Sequence, residues 1–359
     1  MKALLVVRPN ASTKPGGDVV LAERAAAALR RTGVGVDLVA TAVPDAARYD
    51  VAHVFGIFEP DVARSQMTAV RATRTPLVLS PTWLDRTALF VMEPLVRREL
   101  GGRNGARAER RIGALLDEER RLCARPGRGA LRHLREQAEL LRMCDVALPE
   151  SEIQAYACAN LLRAPDLPYV VAPCATDDDA FTAASALPRA GVVCIGRIEP
   201  LKNQAGLLLA LRDVDVDVTL LGQAHDPPYL ALCRRWANPR TKFVSRLPYE
   251  EMRALLASAA VHALPSWGEL PGLVSLDAAA AGAHVVAGTR GSEREYLGPD
   301  VHYVDPLDIA GIRAAVLAAL ERRPRERGDA LEQRVRARTW DGHAHKALDA
   351  YVRAIAMRA

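Results

Sequence analysis

Short apolar runs alternate with helical segments along most of this 359-residue chain. The first apolar run covers residues 3–7, and a helical segment predicted over 18–31, with Asp18 as its N-cap, follows it. The alternation stops over 86–142 and begins again at Gly191. Apolar strands that alternate with helices are typical of parallel sheets, because helices then cover both faces of the sheet. The sequence therefore predicts an α/β protein with two doubly wound halves.

The composition agrees with a globular α/β protein and bears on its ligands and its cellular compartment. Hydrophobic residues make up 50% of the chain and aromatic residues 5%, and the formal net charge is +5. The positive net charge is compatible with binding to an anionic substrate or to a membrane surface. It is equally compatible with a protein that has no such partner. The six cysteines form no C-x-x-C pair and no zinc spacing, which predicts buried free thiols in a reducing compartment. We expect a cytoplasmic protein without a signal peptide, and contact with the inner membrane face stays open.

Two cationic residues follow a predicted strand in the segment 191–204, GVVCIGRIEPLKNQ. The strand ends at Gly196, and Arg197 and Lys202 lie on the loop before the next helix. Ligands of open α/β sheets bind at the carboxyl ends of the strands. An Arg fork and a Lys point charge at that place indicate a diphosphate site.

A second segment, PSWGELPGLVSLDAAAAG over 265–282, places two carboxylates around a predicted helix start. Pro271 and Gly272 favour a tight loop, and a helix is predicted from Leu273 to Gly282. The first backbone amides of that helix form an anion site, with Glu269 in front of it. An anion with hydroxyl groups on both sides of its phosphates fits such a site, and a nucleotide sugar is one.

Taken together, GRIEPLKN and PSWGELPGLVSLDAAAAGAHVV resemble the motifs of glycosyltransferase family 4, whose members are retaining enzymes. GSEREYLG at 291–298 and YVDPLD at 303–308 are similar to later motifs of that family, and PGGDVVLAERAAAALRR near the N-terminus resembles its glycine loop. The resemblance is good over roughly 190–310 and patchy before it.

The resemblance implies a GT-B fold, in which two Rossmann-like β/α/β domains face a central cleft. An N-terminal acceptor-binding domain would cover 1–180, including the Arg-rich segment 86–142, and a donor-binding domain would cover 188–335. A C-terminal helix, 336–359, would pack back on the first domain, and the hinge would lie near 176–188.

The resemblance also implies roles for individual residues. Glu269 would contact the donor sugar, and Arg197 and Lys202 would neutralise the leaving diphosphate; these three form the predicted catalytic set. Asp277, where the family has Glu, would bind the ribose hydroxyls. The other predicted donor-binding residues are Gly16, Gly17, Arg246, Leu247, Gly272, Leu273 and Val274.

Two further features bear on the mechanism. Asp177, Asp178 and Asp179 form a solvated acidic turn rather than a D-x-D metal motif, so we expect no metal and no cofactor. Many family members have a His where this chain reads SPTW, with Ser80 and Thr82; His53 is either a substitute or a structural residue.

The Arg-rich segment either binds an anionic acceptor or lipid headgroups, or forms solvated helix faces paired with Glu. Nucleic acid is not an expected partner, because the segment has few aromatic residues. The arginines concerned are Arg97, Arg98, Arg103, Arg107, Arg110, Arg111, Arg120 and Arg121.

The expected function is metal-independent transfer of a sugar from a nucleoside diphosphate-sugar to a hydroxyl acceptor, with retention and front-face attack. The acceptor would be a glycan, a lipid-linked compound or a small molecule. The alternatives are a nucleotide-sugar epimerase and a non-catalytic nucleotide-sugar-binding partner of a glycosyltransferase.

Overall fold

The computed structural model describes residues 1–14, 16–124, 127–181 and 189–358. The chain forms two compact units. Unit 1 contains Met1–Asp85, Arg128–Ala175 and Arg338–Ala359, and unit 2 contains Arg86–Gly127 and Thr176–Ala337.

The strands in the described residues are β1 (Lys2–Val7), β2 (Gly35–Ala40), β3 (Val51–Phe55), β4 (Leu77–Ser80), β5 (Val146–Ala147), β6 (Ala190–Ile195), β7 (Val218–Leu221), β8 (Thr241–Val244), β9 (Ala259–Leu264), β10 (His284–Gly288) and β11 (His302–Val304). The helices are α1 (Gly17–Arg31), α2 (Pro60–Ala72), α3 (Thr87–Leu100), α4 (Gly105–Cys123), α5 (Arg128–Leu141), α6 (Glu152–Leu161), α7 (Gln204–Leu211), α8 (Pro227–Trp236), α9 (Tyr249–Ser258), α10 (Leu273–Ala280), α11 (Glu293–Leu297), α12 (Ile309–Glu321), α13 (Ala330–Arg336) and α14 (Trp340–Ala356).

Unit 1 is built on a parallel sheet with the strand order β2-β1-β3-β4-β5. This is a doubly wound order, in which the direction of winding changes between β1 and β3. The strands β1, β3, β4 and β5 are almost entirely buried, as their continuous apolar sequences predict. The carboxyl ends of the central strands lead into Arg8, Gly56 and Thr82.

The helix α14 completes unit 1 by packing on α1 and the sheet. Its Tyr351 is fully buried, and the Tyr351 hydroxyl lies 2.8 Å from His53 Nδ1. Near the start of α14, Arg31 Nη2 of α1 lies 2.6 Å from Asp341 Oδ1. A buried polar contact and an apolar face therefore hold the C-terminal helix in this unit.

The start of α1 differs from the expected cap. Gly16, not Asp18, occupies the N-cap position, and Asp18 instead accepts a 2.7 Å hydrogen bond from Arg8 Nε. A side chain at position 16 would meet Asp18 Oδ1 at 2.6 Å, so this ion pair explains why a glycine stands there.

Unit 2 is built on a parallel sheet with the strand order β11-β10-β9-β6-β7-β8. Renumbered within the unit, this is the order of the Rossmann fold. The winding reverses between β6 and β9, which are neighbours in the sheet. In such folds the ligand crevice lies at the carboxyl ends of these two strands.

The helices α3 and α4 pack on unit 2, which corrects the expectation that the whole of 86–142 belongs to the N-terminal domain. Only the part from Arg128 onward lies in unit 1. Met92, Val96 and Leu100 of α3 are buried in the main apolar cluster of unit 2. The sequence predicted an Arg-rich helical segment here, but it could not show which sheet would bury the apolar faces of the helices.

The structure also bears on membrane-spanning helices and on the cysteines. No helix in the described ranges is both long and apolar enough to cross a bilayer. All six cysteines are free, and every one except Cys123 is buried, as predicted. The expected hinge falls partly on 182–188 and there lies outside the described residues.

Candidate functional site

The loop after β6 begins with a close approach of two backbones. Gly196, with φ 153°, ends the strand, and its N–H donates to the Leu221 carbonyl at 2.9 Å. A side chain at Gly222, which follows β7, would overlap the Gly196 carbonyl oxygen. Arg197 follows Gly196 and its Nη2 lies 3.0 Å from Glu199 Oε1. The glycines therefore allow the Arg197 loop to turn tightly at the carboxyl edge of the sheet.

Lys202 is positioned by a short 3-10 turn and by a strained asparagine. The turn covers Pro200–Lys202. Asn203 follows in the left-handed region, with φ 53°, and is buried. Its Nδ2 donates to the Pro265 carbonyl at 3.2 Å and to the Pro306 carbonyl at 2.8 Å. These bonds offset the backbone strain and fix the direction in which Lys202 leaves the turn.

The loop after β9 brings Glu269 to Lys202. The Trp267 N–H donates to the Leu201 carbonyl at 2.8 Å, which ties this loop to the 3-10 turn. Lys202 Nζ then lies 2.6 Å from Glu269 Oε1. Their side chains are only 15% and 9% exposed. The predicted sugar-contacting carboxylate and the predicted phosphate-binding lysine therefore form one partly buried ion pair.

The helix α10 begins where the sequence predicted. Gly272 is its N-cap, with φ 76°, and no side chain caps the helix. The amides of Leu273 and Val274 lie in the first turn, where helix geometry provides no intrahelical acceptor. The start of α10 therefore presents backbone donors on the same loop that carries Glu269.

Asp277 lies one turn inside α10, with Thr176 next to it. The Thr176 hydroxyl donates a short hydrogen bond to Asp277 Oδ1. Thr176 is buried and is the first residue of the second segment of unit 2. The motif that predicted Asp277 gave no signal for Thr176, because a contact between residues so far apart in sequence depends on the tertiary fold.

Glu293 is a second buried carboxyl near Glu269, to which the sequence gave no role. It starts α11, and the preceding Ser292 N–H donates to the Glu269 carbonyl at 2.9 Å. Burial raises the pKa of Glu293 well above its ordinary value, and the charge of Glu269 adds to this effect. A side chain at Gly291 would collide with the backbone of Glu269 and with Glu293 Oε2. Burial against the Glu269 loop therefore favours the neutral form of Glu293.

Other predicted donor-binding residues lie elsewhere. Arg246 and Leu247 follow the edge strand β8, at the same carboxyl edge, with β7 between β8 and β6. Arg246 is exposed and Leu247 is half-buried. Gly16 and Gly17 lie in unit 1, at the start of α1. Pro15, in the same glycine loop, lies outside the described residues.

The histidine considered as a substitute in unit 1 is a buried structural residue. His53 is fully buried, and its Nε2 lies 3.0 Å from Ser80 Oγ, opposite the contact with Tyr351. Burial lowers its pKa well below the ordinary value. Thr82 takes the left-handed region with φ 41° at the carboxyl end of β4. His53 is therefore enclosed between Ser80 and Tyr351 and does not take the place of the family histidine at SPTW.

The acidic turn forms a 3-10 turn over Asp178–Phe181. Asp177 Oδ2 accepts a 3.2 Å hydrogen bond from the Tyr249 hydroxyl. The described residues contain no group of three or more His, Cys, Asp or Glu side chains arranged to hold a metal ion.

The second unit matches a known sequence family. Residues 189–322 match the family model described as glycosyl transferases group 1. These residues hold β6, the Arg197 and Lys202 loop, the Glu269 loop and α10. This part of the chain is therefore similar to the group 1 glycosyltransferases.

The curated proteins that match part of this chain are named as mannosyltransferases. The chain is 30% identical over 200 residues to the MMP α-(1→4)-mannosyltransferase of Mycolicibacterium hassiacum, covering 52% of this chain and 48% of that protein. It is 34% identical over 141 residues to the GDP-mannose-dependent α-(1-6)-phosphatidylinositol monomannoside mannosyltransferase of Mycolicibacterium smegmatis, covering 35% of this chain and 37% of that protein. The matched part thus spans half or less of the length of these relatives.

Solved structures confirm the fold of the whole chain. Sucrose-phosphate synthase from Thermosynechococcus elongatus superposes with a TM-score of 0.70 at 16% identity, covering 99% of this chain and 100% of that one. HepE from Anabaena, in complex with UDP, gives a TM-score of 0.62 at 16% identity, covering 98% of this chain and 96% of that one. The predicted GT-B pair of Rossmann-like domains is therefore confirmed.

Proposed function

We propose that this protein transfers a glycosyl group from a nucleoside diphosphate-sugar to a hydroxyl acceptor, with retention of configuration. The observation that carries the proposal is the 2.6 Å pair of Lys202 Nζ and Glu269 Oε1. It lies at the carboxyl ends of β6 and β9, where the winding of the sheet reverses. Lys202, which would bind the leaving diphosphate, and Glu269, which would bind the sugar, are therefore adjacent.

In the proposed reaction the bond between C1 of the sugar and the phosphate oxygen breaks, and its electrons stay on the diphosphate. Arg197 and Lys202 stabilise the negative charge that grows there, without a metal. The acceptor oxygen forms the new bond to C1 on the face that the diphosphate leaves, and its proton passes to the leaving phosphate oxygen. Glu269 accepts hydrogen bonds from the sugar hydroxyls and favours the positive charge of the transition state.

The ion pair adds a binding step to this scheme. Lys202 Nζ donates to Glu269 Oε1 at 2.6 Å. A diphosphate competes for the same ammonium, and once Lys202 turns to it the Glu269 carboxylate is left to accept from the sugar hydroxyls. Asp277, oriented by Thr176, binds the ribose hydroxyls, and the first-turn amides of α10 contact phosphate.

The donor and the cellular setting are further parts of the proposal. GDP-mannose is the first donor to test, because two relatives are named as GDP-mannose-dependent mannosyltransferases. Unit 1 would bind the acceptor, which is a glycan, a lipid-linked compound or a small molecule. We place the protein in the cytoplasm, with contact at the inner membrane face when the acceptor is a lipid.

Donor binding is tested first with a thermal-shift panel of nucleoside diphosphates and nucleotide sugars. A ligand that binds the native state raises the melting temperature, so the correct base stands out. Transfer is then measured with EDTA present, and NMR of the product gives the anomeric configuration. Inversion of configuration, or loss of transfer on chelation that added metal restores, would contradict this mechanism.

The same assay separates the alternatives. An epimerase converts the donor when no acceptor is added. A non-catalytic partner binds the donor but stays as inert as Glu269→Ala with every acceptor; the lack of an imidazole at SPTW is the observation that favours this reading.

A further inference from the structure

Arg290 lies in the loop after β10 and connects three other segments of unit 2. Its Nη2 lies 2.7 Å from each carboxylate oxygen of Asp305, which follows β11. The same Nη2 lies 2.8 Å from Glu119 Oε2 of α4, and Nη1 also donates to Glu119. The guanidinium lies over the Trp267 ring, 4.8 Å from its centroid. One side chain, only 16% exposed, therefore joins the loops after β9, β10 and β11 to α4.

The Trp267 contact reaches the loop that carries Glu269. Trp267 is buried and lies two residues before Glu269. Its N–H donates to the carbonyl of Leu201, the residue before Lys202, at 2.8 Å. A cation over the face of an indole ring favours one orientation of the ring, because the attraction depends on the ring face. Arg290 therefore contacts the Glu269 loop at a residue that is also bonded to the turn of Lys202.

The residues that follow Arg290 contact the backbone of Glu269 directly. A side chain at Gly291 would collide with the backbone N and O atoms of Glu269. The Ser292 N–H donates to the Glu269 carbonyl at 2.9 Å. The path of the chain after Arg290 is therefore coupled to the position of Glu269.

The Asp305 contact leads to the turn that carries Lys202. The carbonyl of Pro306, next to Asp305, accepts a 2.8 Å hydrogen bond from Asn203 Nδ2. Asn203 directly follows Lys202 and takes the left-handed region. Through these neighbours, Arg290 is connected to both members of the 2.6 Å ion pair of Lys202 and Glu269.

Arginine is suited to this position because three groups surround one side chain. The planar guanidinium bonds carboxylates along its edges while its face lies on an aromatic ring, which an ammonium group cannot do. Glu119 and Asp305 are 18% and 25% exposed. Without Arg290 these two carboxylates would repel each other at a partly buried position. The loop after β11 and α4 would then move apart.

We propose that Arg290 is a positioning residue of the candidate site, which holds the Glu269 and Lys202 loops at the separation that their ion pair requires, with Glu119 of α4 as its outer partner. In this role Arg290 contacts neither donor nor acceptor and acts through the Glu269 loop. The consequence for transfer rests on the proposed function, whereas the effect on the ion pair does not.

The first test measures the ion pair without any ligand. Lys202 is 15% exposed and paired with a carboxylate, so it should react slowly with an amine-directed acylating reagent. Mass spectrometry gives its labelling rate relative to that of the exposed Lys242. Arg290→Gln should raise this relative rate by about 3- to 10-fold, the scale of coupling between neighbouring groups. Glu269→Gln, which removes the partner of Lys202 itself, gives the upper limit.

Arg212→Gln is the matched control. Arg212 Nη2 lies 3.0 Å from Glu109 Oε2, so this pair also joins α4 to another part of unit 2, at the C-terminal end of α7. The Arg212 and Glu109 side chains are 21% and 28% exposed, so their burial is similar to that of the Arg290 pair. The variant should leave Lys202 labelling and transfer unchanged. Equal effects of Arg212→Gln and Arg290→Gln would show a general loosening of α4 and would overturn the proposal.

Transfer assays test the catalytic consequence. Arg290→Gln should lower kcat by about 10- to 100-fold, the scale for a small displacement of a group at the reacting centre. In a Glu269→Gln background the further loss should be below about 3-fold, because a residue that acts through Glu269 then has nothing left to position. Arg290→Lys keeps the charge but not the fork, so its kcat should lie between those of the wild type and Arg290→Gln. Fully additive losses would show that Arg290 acts elsewhere.

The outcomes distinguish this inference from the proposed function. Wild-type labelling and wild-type kcat in a folded Arg290→Gln variant overturn the role of Arg290 alone. Faster labelling of Lys202 in Arg290→Gln, with a wild type that binds no nucleotide sugar, supports the positioning role and overturns the proposed function.

A second variant guards against loss of folding, which circular dichroism detects. Glu119→Gln leaves the contact between Arg290 and Asp305 in place. It should raise the relative labelling rate of Lys202 by about 2- to 3-fold, less than Arg290→Gln. If Arg290→Gln does not fold, unchanged labelling in Glu119→Gln overturns the proposal.

Discussion

Lys202 Nζ and Glu269 Oε1 lie 2.6 Å apart, which joins the loops after β6 and β9. Each residue is therefore the other's counterion. In the proposed reaction the diphosphate binds Lys202 and the sugar binds Glu269, so the ion pair affects the binding of both groups. Substitutions at the two positions should change ligand affinity in opposite directions.

We expect Glu269→Gln to bind nucleoside diphosphate more tightly than the wild type, since the anion no longer competes with the carboxylate for Lys202. The same variant should lose transfer by about 10²–10³-fold, the scale for removing one electrostatic contact to a transition state. Lys202→Met should weaken nucleoside diphosphate binding. Calorimetry and initial rates measure these effects, and weaker binding by a folded Glu269→Gln would contradict the competition.

Asp277 should determine the preference for ribose over deoxyribose. Asp277→Ala should lower the affinity for a ribonucleoside diphosphate by about 10-fold and leave the 2′,3′-dideoxy analogue unaffected, because the analogue lacks the hydroxyls that a carboxylate accepts from. Thr176→Val should have a smaller effect in the same direction, since it removes only the hydrogen bond that orients Asp277. An equal loss for both nucleotides would show that Asp277 acts on the fold instead.

Glu293 should make unit 2 less stable as the pH rises. The unfolded chain releases this proton near pH 4.5, while the folded protein retains it to a higher pH because burial raises the pKa. The folded state then binds more protons, so the free energy of unfolding falls as pH rises above that value. We expect Glu293→Gln to be more stable than the wild type at pH 8, with a smaller gain at pH 5.

Urea unfolding at the two pH values measures the Glu293 effect. Glu321→Gln, at the exposed C-terminal end of α12, is the control and should leave the pH dependence unchanged. A Glu293→Gln variant that is destabilised equally at both pH values would show that this carboxyl is not held neutral.

His343 should have the opposite pH dependence. It is buried in α14, and its Nδ1 lies 3.1 Å from the Ala172 carbonyl oxygen. Burial lowers its pKa from 6.5 to about 4. Between these values the unfolded chain binds a proton that the folded protein does not, so the free energy of unfolding falls as the pH drops from 6.5 toward 4.

The contribution of His343 should amount to roughly 3 kcal/mol at most over that range. His343→Gln keeps a side-chain N–H for the Ala172 carbonyl and cannot titrate, so its unfolding free energy should fall less on acidification. His345→Gln, exposed in the same helix, should keep the wild-type slope. Guanidinium unfolding at pH 6.5 and pH 4.5 makes the comparison.

Gly222 should tolerate no side chain. Its Cβ would overlap the Gly196 carbonyl oxygen, a backbone atom that cannot rotate away. We expect Gly222→Ala to destabilise unit 2 by about 2 kcal/mol or more and to weaken diphosphate binding through the shifted Arg197 loop. Gly113→Ala in α4, where the added Cβ would meet nothing within 4 Å beyond the backbone of its own helix, should instead stabilise the protein by about 0.5–1 kcal/mol. Thermal and urea unfolding distinguish the two.

The sequence by itself determined the fold class, the strands that carry the site and the helix that starts after Gly272. It could do so because these features depend on local periodicity and on short motifs at strand ends. Arg197, Lys202 and Glu269 were predicted from two such motifs. The motifs come together because the carboxyl ends of neighbouring parallel strands lie at the same edge of the sheet.

Only the tertiary structure decided which unit buries α3 and α4. An apolar helix face shows that burial occurs but carries no information on its partner. The contact of Thr176 with Asp277, the raised pKa of Glu293 and the enclosure of His53 also come from packing between distant segments. Such contacts and pKa shifts depend on burial and neighbouring charge, which exist only once the chain has folded.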